Sequence, residues 1–327
     1  MDEPMIRMRK VSKIYKVHHR TEGFWASLKS VFHREYKTVT AVDRIDLQVN
    51  RGEIRGLIGP NGAGKSTTIK ILAGVLHPSS GEVQVMGMVP WKEREKYVRR
   101  LGVVFGQKSQ LWWDLPAVDT FALQKEMYKI PTSAYRERLD YFSHLLGIGE
   151  VMQKPVRQLS LGERMKCELV CAMLHEPPLI FLDEPTIGLD VVSKESIRNF
   201  IKHVNRDKQT TFILTTHDLS DLEDLCEKVT IINKGVVVFD DTLDKLRAYF
   251  SNKKIVEIHF DRPVAKSDLD GFDVREFTPL AATIEFAMDE TGDIRRELGR
   301  VLDRLPVRDI NVGNIRIEEV IKQIYLT

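Results

Sequence analysis

Residues 5–15 (MIRMRKVSKIY) and 39–49 (VTAVDRIDLQV) alternate apolar and polar positions, the period of a strand with one buried face. They predict two antiparallel strands. Downstream the pattern changes. EIRGLIG (53–59), PLIFLD (178–183) and TTFILTTHD (210–218) hold short continuous apolar runs, as central strands of a parallel sheet require. KSTTIKILAGVL, from residue 65, predicts a helix, and a mostly helical stretch follows at about 110–158, punctuated by Pro116, Pro131 and Pro155. KVTIINKGVVVFD (228–240) predicts a hairpin turning at Asn233–Gly235.

Past a boundary near 241–253 the pattern restarts. KIVEIHF, DVREF and ATIEFAM predict strands, and GDIRRELGRVLDRL and RIEEVIKQIYL predict helices. The expected organisation is an α/β domain over 1–240, with a helical subdomain at about 110–175, and a small α+β domain over 241–327. The second has no glycine-rich loop and no cluster of potential ligands.

Composition narrows the class. The 327 residues are 43% hydrophobic and 29% charged, which suits a folded chain with a real core. A net charge of +2 gives no overall electrostatic footprint for nucleic acid, so no nucleic-acid partner is expected. Cys167, Cys171 and Cys226 form no disulfide framework. Cys167 and Cys171 stand one helical turn apart, where side-chain roots are about 5–6 Å from each other, beyond the reach of a disulfide. Buried thiols in a reducing compartment are expected. The opening MDEPMIRMRK has no apolar signal region, and no run approaches the ~18–20 apolar residues of a membrane span. A cytoplasmic protein that meets a membrane only from outside is the expectation.

The candidate chemistry begins at GPNGAGKST (59–67), which fits the phosphate-binding loop in full. Gly59, Pro60, Asn61, Gly62, Ala63 and Gly64 would let backbone amides curve around phosphates, and the next helix adds the positive end of its dipole. Lys65 would reach the β- and γ-phosphates of ATP, Ser66 would coordinate magnesium, and Thr67 completes the loop. An unliganded glycine-rich turn would not explain strand, loop and helix arriving in this order. LIFLDEP (179–185) supplies a second element: its apolar run buries the strand so that Asp183 emerges at the C-terminal edge, where ligands bind parallel sheets. Asp183 would join the magnesium shell, and Glu184 would orient or deprotonate the attacking water.

LSLGERMK (159–166) resembles the signature sequence of ATP-binding cassette (ABC) ATPases, usually Leu-Ser-Gly-Gly-Gln. Ser160 and Gly162, the positions that meet the γ-phosphate of the opposite subunit in that family, are kept. Leu161 stands for the first glycine and Glu163 for the glutamine. The resemblance, which covers residues 5 to about 240, implies further roles. Gln107 matches the magnesium-sensing glutamine that links the helical subdomain to a permease. Asp190 in GLD matches the loop that crosses the dimer interface, and His217 the switch histidine that contacts the γ-phosphate. Tyr15 matches the adenine-stacking aromatic, with Tyr36 as the competing position.

It implies an ABC-type P-loop ATPase, a RecA-like core with an antiparallel β subdomain and a helical subdomain. It also implies ATP and Mg2+ as cofactors, a second ATPase subunit, with a homodimer favoured, and a separate transmembrane permease. The order of the motifs looks most like exporters with separate ATPase and permease subunits; an importer ATPase is the alternative. An ABC ATPase of DNA ends would carry a long coiled coil, and a translation-factor ATPase two cassettes, and neither pattern is present.

One segment stands outside this scheme. TEGFWASLKSVFHREYK (21–37) interrupts the family pattern with an amphipathic insert, spanning about 16–38. At about 100° per residue, Phe24, Trp25, Leu28, Val31 and Phe32 share one arc and the basic residues lie mostly outside it. Contact with the permease or the inner leaflet is expected, with packing on the ATPase itself as the alternative.

Overall fold

The structure is a computed structural model that describes residues 3–18, 36–106, 108–216, 218–248, 253–287, 294–314, 320–321 and 324–325. Gln107 and His217 lie outside them, as does the insert at 21–37 except for the backbone of Tyr36 and Lys37. The chain forms two compact units, Met1–Asp241 and Thr242–Thr327.

The first unit opens with β1 (Ile6–His18), β2 (Tyr36–Val49), β3 (Ile54–Ile58), α1 (Lys65–Leu72), β4 (Ser80–Val85), α2 (Arg94–Val98) and β5 (Leu101–Phe105). It continues with α3 (Ala117–Met127), α4 (Thr132–Leu146), α5 (Leu161–Met173), β6 (Leu179–Asp183) and α6 (Val191–Lys208). β7 (Thr211–Thr215), α7 (Leu219–Leu225), β8 (Lys228–Asn233) and β9 (Val236–Thr242) complete it.

β1 and β2 pair antiparallel as their alternation predicts, and β4 joins them in the order β2-β1-β4. The alternation is not continuous along β1. Its register shifts between Met8 and Val11, where Lys10 has φ 48, so Val11 returns to the buried face. The apolar runs occupy the middle of a six-stranded sheet, order β5-β6-β7-β3-β8-β9, in which β5 to β8 and β3 are parallel neighbours. β9 follows β8 through Lys234 (φ 47) and Gly235 (φ 83), the two left-handed residues of a type I′ turn.

Both sheets and α1 share one core, in which Ile6, Val42, Leu47, Leu57, Ile69, Leu72, Phe181 and Ile213 are buried. Each such side chain contributes roughly 1.5–3 kcal/mol on burial, enough collectively to fix the loop between β3 and α1. Phe142 of α4 meets Phe200 of α6 edge to face at 5.9 Å, which seats the helical segment on the same unit. The three cysteines are free and buried, as expected.

The second unit contains α8 (Leu243–Ala248), β10 (Lys253–Phe260), β11 (Asp273–Thr278), β12 (Ala281–Ala287), α9 (Arg295–Arg304) and β13 (Val307–Asn314). Its antiparallel sheet has the order β11-β12-β10-β13, and Val301 and Leu305 pack with Val256, Ile258, Ile284 and Phe286. The strand β13 is not predicted by the sequence pattern. It lies at the sheet edge, with Asp309, Asn311 and Val312 exposed, so the buried-face alternation is weak. Of the last predicted helix, residues 320–321 and 324–325 are helical and Val320, Ile321 and Ile324 are buried. Among the described residues no helix is long and apolar enough to cross a membrane.

Candidate functional site

The loop after β3 occupies the C-terminal edge of the central sheet, where β3 lies between β7 and β8. Two of its glycines are fixed by close approach. A Cβ on Gly59 would lie 2.1 Å from the Ile232 carbonyl oxygen, and one on Gly64 2.4 Å from that of Ala41. Gly64 also has φ 109, in the left-handed region, where it caps α1 without a side-chain hydrogen bond and with no acid in the first turn. The first amides of α1 therefore face the loop uncapped. The hairpin tip braces the other side: Gly235 N–H donates to the Ala63 carbonyl at 2.9 Å, and its own carbonyl accepts from Asp43 N–H at 2.7 Å.

Lys65 is buried and folds back over this loop, donating to the carbonyls of Gly59 at 2.6 Å and Pro60 at 3.1 Å. Burial lowers its pKa, while Glu184 and Asp183 act in the opposite direction through their charges. That electrostatic contact joins the two sequence motifs in space. Register explains it: Thr215 of β7 is opposite both Leu57 of β3 and Asp183 of β6, so Asp183 ends level with Leu57, two residues before the loop begins at Gly59. Thr215, which sequence reasoning did not single out, donates its hydroxyl to Asp183 Oδ1 at 2.6 Å and accepts Glu184 N–H at 3.1 Å. Its carbonyl accepts the same N–H at 3.0 Å. These bonds hold Glu184 in a left-handed conformation, φ 55. The chain before Gln107 packs on this corner, with Gly106 N–H donating to the Asp183 carbonyl at 2.9 Å.

Ser66 is exposed at the start of α1, beside half-buried Thr67; Asn61 and Gly62 are exposed on the loop, and Ala63 is buried. Tyr15 is half-buried on β1, opposite Val39 of β2, two positions before the Ala41 carbonyl that abuts Gly64. Tyr36 pairs with His18 through its backbone. The chemistry of the loop fits a triphosphate: a glycine cradle, uncapped helix amides and a buried amine whose desolvation an anion relieves. A hydroxyl at Ser66 and a carboxylate at Asp183 are the hard oxygen donors that a small divalent cation takes.

The signature residues form a second cluster. Ser160 caps α5 in a closed capping box: it accepts Glu163 N–H at 3.2 Å, and Glu163 accepts Ser160 N–H at 2.8 Å. These bonds from Ser160 hold the Glu163 carboxyl below its usual range. The glutamate in place of the family's glutamine is thus the closing member of the cap. A Cβ on Gly162 would lie 2.3 Å from Ser193 Oγ and 3.6 Å from Asp190 Oδ2, so the start of α5 abuts the start of α6. Asp190 caps α6, accepting from Ser193 N–H at 2.9 Å and its hydroxyl at 2.6 Å. Leu161 (40% exposed), Val191 (79%) and Val192 (75%) leave this patch apolar and open.

A third feature follows Gln107. Glu168, a buried acid of α5 that sequence reasoning missed, accepts from the Ser109 hydroxyl and from Gln110 N–H at 3.0 Å. Burial raises its pKa against these bonds. The next residues, Trp112 and Trp113, are 50% and 55% exposed although their backbone is tied to Thr120 and Arg157.

The family model described as ABC transporter matches residues 42–187, which span the loop, the signature and the Asp-Glu pair. The chain is 32% identical over 215 residues to the ABC transporter ATP-binding protein NatA of Bacillus subtilis (strain 168), covering 66% of this chain and 87% of NatA. It is 30% identical over 238 residues to the bacitracin transport ATP-binding protein BcrA of Bacillus licheniformis, covering 69% of this chain and 76% of BcrA. The dimeric structure of a post-hydrolysis state of the ATP-binding cassette MJ0796 bound to ADP and Pi has the same fold, with TM-score 0.60 at 23% identity. That match covers 73% of this chain and 99% of the other.

Proposed function

The chain belongs to the ATP-binding subunits of ABC transporters and is an ATPase of that family, and from that premise we propose that it drives an exporter, as a homodimer docked on a separate membrane permease. The observation that carries this reading is that the functional residues fall into two clusters, each bonded within itself. One, around Lys65, Asp183 and Glu184, suits a triphosphate. The other, around Ser160, Gly162 and Asp190, is a hydroxyl, a helix N-terminus and an exposed apolar patch. Each is complete only when a second copy supplies the other, and the dimeric state of MJ0796 supports that arrangement.

The phosphate loop and Lys65 bind the β- and γ-phosphates of ATP, and Tyr15 supplies a face for adenine. Ser66, Asp183 and Gln107 would hold Mg2+, which when bound neutralises charge that develops on the phosphates. Glu184 aligns and deprotonates the attacking water, and its strained, doubly bonded backbone fixes the carboxylate for that task. His217, two positions past the end of β7 in the sequence, contacts the γ-phosphate. Ser160 and Gly162 complete the partner's site, and Asp190 crosses to it. The order of the motifs supports export, and the likeness to a bacitracin transport ATP-binding protein supports a transport role. Permease contact is assigned to Trp112 and Trp113, an exposed aromatic pair that begins five positions after Gln107 and whose backbone is tied to Thr120 and Arg157. The site would lie on the cytoplasmic face of the membrane, peripheral through the permease, with the insert at 21–37 as an additional contact.

The decisive experiment is Glu184→Gln. ATP binding persists and turnover falls by at least about 100-fold, a loss on the order of a general base's contribution. Normal turnover in that variant would sink the assignment.

A further inference from the structure

A buried carboxylate that belongs to neither cluster joins the loops that serve them. Asp221, on α7, is 1% exposed. Its Oδ2 accepts from the Thr186 hydroxyl and, at 3.1 Å, from the Thr216 hydroxyl. Its Oδ1 accepts from Arg198, 2.7 Å from Nε and 2.6 Å from the terminal nitrogen. Thr186 stands two residues beyond Glu184, and Thr216 immediately precedes His217. Arg198 is on α6, the helix that Asp190 caps. One side chain thus bonds to three segments that also carry residues assigned to hydrolysis or to the dimer contact: one position away for His217, two for Glu184 and eight, along one helix, for Asp190.

Asp221 is not the sole link between α7 and α6. Lys194–Asp218 and Lys202–Asp224 bridge the same two helices on either side, at more exposed positions. Nor is a buried ion pair a strong source of stability, because desolvation of both charges offsets most of their attraction. What Asp221 adds is geometric: it is acceptor to Thr186 and Thr216 at the same oxygen, so those two loops keep one spacing.

We propose that Asp221 is a positioning residue for ATP hydrolysis, holding the Glu184 and His217 loops in fixed relation to α6 so that displacement of Asp190 reaches both together. The proposal rests on the roles given above to Glu184, His217 and Asp190.

Steady-state ATPase kinetics of the full chain and equilibrium binding of a fluorescent ATP analogue test it. In Asp221→Asn, kcat falls roughly 10- to 100-fold, the range expected when catalytic groups are misplaced by a fraction of an ångström to 1 Å. KM and the analogue's Kd stay within about twofold, since the phosphate loop is untouched. Thr216→Val removes one bond and leaves the ion pair, giving a smaller fall in kcat with the same unchanged KM. It carries the test if Asp221→Asn does not fold. Arg198→Lys, which keeps the charge pair, retains most of the turnover. Wild-type kcat in Asp221→Asn or, where that variant does not fold, in Thr216→Val overturns the proposal. So does a loss of analogue affinity in parallel with kcat in the folded variants, the mark of a merely structural role. Glu184→Gln separates the two readings: if it turns over ATP normally the site assignment fails, and if it is inactive while Asp221→Asn is active, only the role of Asp221 fails.

Discussion

Glu184 and Lys65 show how single residues are held under load. Glu184 sits at φ 55, a region that costs a non-glycine residue on the order of 1 kcal/mol, and two bonds to Thr215 hold it there. Lys65 is desolvated between its loop carbonyls and two carboxylates, a state that an incoming anion stabilises. His175 is loaded differently. Its Nε2 lies 3.1 Å from the Leu101 carbonyl, its ring stacks on Tyr128 at 3.9 Å, and its Nδ1 has no hydrogen-bond partner among the described residues. Burial pushes its pKa down from 6.5 to about 4. The unfolded chain therefore binds the proton first. The stability this neutral ring supports is full above pH 6.5 and declines as pH falls toward about 4. Denaturant unfolding at pH 7.5 and pH 5 should show wild type losing up to about 2 kcal/mol more than His175→Phe, which keeps the stack without the titration. Equal losses in both would mean that His175 does not carry the dependence.

At the scale of elements, short segments gain their meaning from what clamps them. The start of α5 is a capped helix terminus, and replacing a capping serine by alanine costs about 1 kcal/mol on its own. The turn at 109–111 is clamped onto α5 by Glu168, so the exposed Trp112 and Trp113 that follow are mechanically continuous with the signature helix. Trp112→Ala combined with Trp113→Ala should leave the ATPase activity of the isolated subunit intact while weakening copurification with the membrane subunit at least about tenfold, as loss of a central aromatic anchor does. Undiminished copurification would move the permease contact elsewhere. Much of this level is legible in the sequence: the phosphate loop, the Asp-Glu strand and the hairpin at 233–235 are local signals, carried by periodicity and turn chemistry. The parts played by Thr215 and Glu168, and the bonds of Gly235 to Ala63 and Asp43, are not, because each acts through a partner distant along the chain. The bulge at Lys10 and the edge strand β13 also escape a periodicity argument, one by shifting the phase of the alternation, the other by leaving most of its residues exposed.

For the whole molecule, the open apolar patch formed by Leu161, Val191 and Val192 beside Ser160 and Asp190 is the feature that asks for a partner. The proposed occupant is a second copy, whose phosphate loop would bring ATP against Ser160. In the Glu184→Gln background, where nucleotide stays bound, added ATP should convert monomer to dimer on size-exclusion chromatography. Introducing Val191→Asp and Val192→Asp should abolish that shift, because an unpaired charge buried in an interface core costs several kcal/mol. A dimer that forms regardless would put the interface on another face.

The chain by itself determined the class of chemistry and the α/β plan. A glycine-rich loop, a buried strand ending in Asp-Glu and a serine-capped helix are each specified by a few neighbouring residues whose backbone preferences and polarity leave little choice. Only the tertiary structure decided which of these meet. The register through Thr215 brings Asp183 and Glu184 to Lys65, the contact of Gly162 with Ser193 joins the signature to Asp190, and Asp221 gathers Thr186, Thr216 and Arg198. The reason is physical: strand order and helix packing are set by burying one shared core, and that sum over distant side chains has no local signature in the sequence.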